Sequence, residues 1–104
     1  GEIDWSRPAE ELERQVRGLN PWPSAYTYID GKTLKIWEAE VLDRNYGCEY
    51  GEVAEVTRNS LIIQTGIGAL SVKSVQLEGK KRMDISAFLN GYTIEKPGWR
   101  ISCR

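Results

Sequence analysis

Lys80, Lys81 and Arg82 stand in a row directly behind Gly79 in the stretch VQLEGKKRM, residues 75–83. Two lysines and an arginine on a loop have one clear chemistry, the neutralisation of phosphates on a polyanion. Loops also present functional groups on a rigid scaffold. A solvated charged turn has the same composition, because charge runs are common on protein surfaces. The triplet by itself leaves both readings open.

The overall charge argues against a nucleic-acid partner, since the 104 residues carry a formal net charge of −1. The distribution says more. Residues 1–20 hold three cations against five acids, and residues 21–70 hold four against seven. Residues 71–104 reverse the balance, with seven cations against three acids. A basic third on an acidic body is a polarised domain, and a polyanion responds to the local field more than to the total.

Other chemistries find little material. The chain has no histidine, so it offers no Ser-His or Cys-His pair and no His-ligated zinc. Glu10 and Glu11 are adjacent, and adjacent residues on a helix do not face each other. Two cysteines, Cys48 and Cys103, make neither a disulfide framework nor a metal cluster, and the simplest reading is two thiols in a reducing cytoplasm. The glycine-rich TGIGAL lacks the Gly-Lys-Ser/Thr ending of a phosphate loop and opens a strand instead of a helix. The acidic DRNYGCEYGE lacks the alternating carboxylates of a calcium loop and reads as a solvated loop. We therefore expect no catalytic, cofactor-binding or metal-binding residue in this chain, and no catalysis by it alone.

Elements that would position the basic run can be read from the pattern. SRPAEELERQVRGL reads as a helix, with Ser6 as its N-cap, Pro8 in the first turn and Gly18 as terminator. Ala9, Leu12, Val16 and Leu19 form its apolar stripe. NPWPSAY is a stiff connector carrying Trp22, because Pro21 and Pro23 forbid helix. AYTYI and TLKIWEAEVL flank Asp30–Gly31, a strong hairpin signal, and EVAEVT and SLIIQT flank Arg58–Asn59, a second tight turn. ALSVKSVQL alternates as a further strand, DISAFLNG reads as a short helix capped by Asp84 and stopped by Gly91, and WRISC is a possible last strand. The fold expected is mainly β, a small closed or partly open barrel of about six strands with an N-terminal helix and a short C-terminal one. Trp5 and Trp22 are expected to clamp the first helix. Trp37, sharing a strand face with Lys35, is the combination a single-strand binder would use, although packing is the commoner use of so large a side chain.

No apolar run approaches the roughly 20 residues that cross a bilayer, and no leader of the secretory type is seen. We expect no membrane partner and a cytoplasmic location. The one methionine is Met83, so the chain reads as one domain, residues 1–104, excised from something longer.

IDWSRPAEELERQVRGLNPWPSAY, GKTLKIWEAEV, TGIGALSVKSVQLEGKKRM and FLNG, in that order, resemble the C-terminal domain of methionyl-tRNA formyltransferase over roughly residues 3–92. The resemblance implies a Greek-key barrel similar to an OB-fold, which helps hold initiator methionyl-tRNA mainly through its backbone. It implies an N-terminal catalytic domain in the same polypeptide, which carries the catalytic residues and uses 10-formyltetrahydrofolate. The basic positions that match are Arg17, Lys80 and Lys81, with Arg82 extending the run. Two alternatives accompany this reading. One is the same barrel in another folate-dependent formyltransferase, acting on a small molecule or a nucleotide sugar. The other is a purely structural domain that packs against its catalytic partner.

Overall fold

The computed structural model describes residues 1–19 and 24–92. Trp22, its flanking prolines and the stretch WRISC lie outside the described residues. The elements are α1 (Ala9–Leu19), β1 (Ala25–Ile29), β2 (Lys32–Leu42), β3 (Val53–Val56), β4 (Leu61–Gln64), β5 (Ala69–Leu77), β6 (Met83–Asp84) and α2 (Ile85–Gly91). All the strands pair antiparallel in one sheet of order β1-β2-β5-β4-β3, with β6 on β5. Strands β3, β4 and β5 follow one another as a meander while β2 lies beside β5, which is Greek-key connectivity. The fold is mainly β, as expected, but the sheet is not closed into a barrel: no pairing joins β1 to β3 among the described residues. The outer side of β1 is instead met by the chain's own start, where Ile3 N–H donates to the Tyr26 carbonyl at 2.8 Å. A paired edge no longer invites another strand.

Local chemistry explains most boundaries. Asp30 and Gly31 both have positive φ, 50° and 76°, and Ile29 pairs directly with Lys32. That is a two-residue turn of the kind whose twist matches a hairpin. Thr57 N–H donates to the Ser60 carbonyl at 2.9 Å, closing the second expected turn around Arg58–Asn59. Asp84 caps α2 by accepting from the Ser86 backbone N–H at 3.2 Å.

Helix α1 departs from expectation at both ends. Ser6 does not cap it; the Ser6 hydroxyl and N–H both donate to Asp4 Oδ1. The helix opens at Ala9, whose N–H donates to the Ile67 carbonyl at 2.9 Å, while the Pro8 carbonyl accepts from Leu12. A tertiary partner has replaced the side-chain cap. At the other end the helix passes through Gly18 to Leu19, whose carbonyl accepts from Ser24 N–H. Met83–Asp84, returning onto Val75 and Ser74, is a strand that the sequence reading did not include.

One core holds these elements. Leu12 and Val16 of α1 meet Leu34, Ile36, Leu61, Ile63, Leu70, Val72 and Val75 from the sheet, with Ile85 and Phe88 of α2. Trp5 is buried among them and satisfies its indole by donating to Thr27 Oγ1 at 3.0 Å. No helix among the described residues is long and apolar enough to cross a membrane.

Candidate nucleic-acid interface

The basic run is the tip of the hairpin that joins β5 to β6. Gly79 has φ +78°, a conformation side chains rarely adopt, and Lys80 N–H donates back to the Leu77 carbonyl at 2.9 Å. Just before the turn Glu78 is tied to Thr33 in both directions: its N–H donates to the Thr33 carbonyl at 2.9 Å, and its Oε1 accepts from Thr33 N–H at 2.6 Å. The turn therefore begins from a fixed point on the sheet. Lys80 and Lys81 are exposed at its tip. Among the described residues neither ammonium is held in an ion pair.

Arg82 is placed differently from the two lysines. Its guanidinium carbon lies 4.6 Å from the Trp37 ring centroid. Its Nε donates to Ser74 Oγ at 3.1 Å, and a terminal nitrogen donates to Glu38 Oε1 at 3.0 Å. A β-bulge makes this possible. Ile36 pairs with Val75, Glu38 with Ser74 and Ala39 with Val72, so the register shifts twice, skipping Trp37 on β2 and then Lys73 on β5. The irregularity breaks the strict in-out alternation. Leu34 and Ile36 face the core before it, and Ala39 packs against the core after it. Trp37 and Glu38 are thus successive residues that both reach one guanidinium on the outer side.

Gln76 completes the cluster. It lies opposite Lys35 in the β2–β5 register. Its Oε1 accepts from Trp37 Nε1 at 3.1 Å and its Nε2 donates to the Lys80 carbonyl at 3.0 Å. Lys35, Trp37, Gln76 and the turn thus occupy one outer patch. Trp37 shares it with Lys35 as expected, but one ring face is covered by Arg82. Gln76 and Ser74 are absent from the sequence-based candidates, because a polar residue on the outer face of a strand carries no signal of what it will hold.

Arg17 is not brought into this patch. It sits on the exposed side of α1, bonded to Glu13 with Nε–Oε2 2.8 Å. The carboxylate beside it, through that hydrogen bond first and then its charge, raises the guanidinium's pKa further. Among the described residues no hydrogen bond, ion pair or ring contact joins Arg17 to the turn. Cys48 offers no competing chemistry: burial, then the nearby Glu52 carboxylate, pushes its thiol up, away from the nucleophilic thiolate.

Lys80 and Lys81 thus present two exposed positive charges at the tip of a hydrogen-bonded turn, and comparison with known proteins gives the family of the chain. A methionyl-tRNA formyltransferase of Agathobacter rectalis is 53% identical over 96 residues, covering 92% of this chain and 31% of that protein. Another, of Lachnospira eligens, is 52% identical over 100 residues, covering 91% of this chain and 32% of that protein. The chain thus spans about a third of the length of the formyltransferases it matches. Among solved structures, a HypX variant from Aquifex aeolicus superposes with a TM-score of 0.67 at 17% identity, covering 95% of this chain and 20% of that one. At that identity the likeness is one of fold. Residues 1–93 match the family described as formyl transferase, C-terminal domain, and the chain belongs to that family.

Proposed function

We propose that this chain is the C-terminal domain of a methionyl-tRNA formyltransferase and that it grips initiator methionyl-tRNA by its phosphate backbone. The observation that carries the proposal is the exposed Lys80–Lys81 tip, fixed to the sheet at Glu78 and Gln76. Arg17 is a second point of attachment. Its bond to Glu13 is solvent-exposed, and such pairs are worth so little that a phosphate can replace the carboxylate. Formyl transfer itself, with 10-formyltetrahydrofolate as donor, belongs to an N-terminal catalytic domain of the same polypeptide. In that division of labour the present domain positions the tRNA and does no chemistry, which fits a chain without histidine.

A salt titration of tRNA binding by the full-length polypeptide tests this. Each neutralised phosphate releases condensed counterions, so affinity falls as salt rises. Lys80→Ala/Lys81→Ala should weaken binding and flatten the plot of log affinity against log salt by about one unit for each phosphate no longer engaged. Initiator and elongator tRNA should be affected by similar factors, because phosphates carry no sequence information. Unchanged slope and affinity in a folded variant would mean that the tip is a solvated turn.

A further inference from the structure

We infer that Gln76, backed by Trp37 and Arg82, is the positioning residue of the Lys80–Lys81 turn, an inference that rests on the phosphate-binding reading of that turn. The amide of Gln76 can take only one orientation here. An indole N–H only donates and a backbone carbonyl only accepts, so Oε1 faces Trp37 and Nε2 faces Lys80. Gln76 is thereby a strut between the β2 bulge and the backbone of the first lysine. The far end of the strut is itself held: Arg82 covers the Trp37 ring and is anchored to Ser74 and Glu38. The Lys80 backbone is therefore tethered at both its N–H, by Leu77, and its carbonyl, by Gln76. A turn ordered before binding loses less conformational freedom when the lysines meet phosphate.

The basic run thus divides by function. Lys80 and Lys81 face the ligand, whereas Arg82, itself at the surface, is engaged by Trp37, Ser74 and Glu38. Arg82 needs a planar, forked cation that stacks on Trp37 while donating to two acceptors, a task a lysine ammonium does not perform.

The test is a double-mutant cycle in the full-length polypeptide, with initiator methionyl-tRNA as probe and hydrogen exchange of residues 78–82 as a readout that needs no RNA. Gln76→Ala should speed exchange in that segment and weaken tRNA binding about three- to ten-fold. In the Lys80→Ala/Lys81→Ala background it should cost almost nothing further, because coupled residues are not additive. Trp37→Phe, which keeps an aromatic ring near Arg82 but removes the N–H that orients the amide together with part of the ring system, should show the same coupling more weakly. Unchanged exchange in Gln76→Ala would overturn the inference whatever the RNA does. So would a binding loss of equal size with and without the lysines, or no binding loss in the parent background. Faster exchange in Gln76→Ala together with parental binding by the lysine variant would instead overturn the phosphate reading, leaving Gln76 as the strut of a turn that binds nothing.

Discussion

A Cβ added to Gly66 would lie 1.9 Å from the carbonyl oxygen of Ser6. The two backbones touch directly because Gly66 N–H is shared between the carbonyls of Trp5 and Arg7, each at 3.1 Å. The adjacent Ile67 carbonyl then caps Ala9. The loop between β4 and β5 is thus strapped to the start of α1, and only a residue without a side chain fits the crossing. Gly66→Ala should destabilise the fold by about 1–3 kcal/mol, since backbone atoms must shift to admit the methyl. A urea denaturation curve measures this; a midpoint equal to that of the parent would show that the strap opens without loss.

Leu12 is 1% exposed, on the face of α1 that meets the sheet. Leu12→Ala should remove about 2–5 kcal/mol, a large part of the roughly 5–15 kcal/mol that holds a small domain together. Arg14→Ala, on the exposed face of the same helix, should stay within about 0.5 kcal/mol. Equal denaturation midpoints for the two variants would contradict the packing described here.

Tyr92 donates its phenol to Asp30 Oδ2 at the β1–β2 turn and stacks on Phe88 with ring centroids 5.1 Å apart. Burial first, then the Asp30 hydrogen bond and charge, push its pKa up from 10.0 to about 12. The folded state therefore holds the phenol proton more tightly than the unfolded chain does. The stabilisation is fully present below the unfolded pKa and is lost as pH rises through the interval between the two values. Stability should fall with pH there, and Tyr92→Phe should fall less steeply. The check is a pair of denaturation midpoints across that range, with phenolate absorbance following the titration; identical slopes would remove Tyr92 as the cause.

Much of this molecule is legible in the residues alone. The Asp30–Gly31 hairpin, the AYTYI strand, the apolar stripe of α1 and the Asp84 cap are local features. Each depends on φ preference, spacing or a side chain within reach of its own backbone, so a short window of sequence contains its cause. Leu34 and Ile36 of the expected strand TLKIWEAEVL and Leu70 of ALSVKSVQL are all fully buried. The basic run can also be located, since charge and a preceding glycine are properties of the chain.

What the tertiary structure decided is which partners each residue of that run meets. In sequence Arg82 is a third cation beside two lysines; in space the Trp37 bulge brings Glu38 and an aromatic face to it from more than 40 residues away. Ser6 is not the cap of α1 for the same reason, because the true partner is the carbonyl of Ile67, far along the chain. The glycines of TGIGAL look like an ordinary turn until the crossing with Ser6 explains Gly66. Whether the sheet closes was likewise hidden, because closure depends on which strand edges meet. Local preference determines elements, but a partner brought in by the fold carries no trace in the residues on either side of the position it touches.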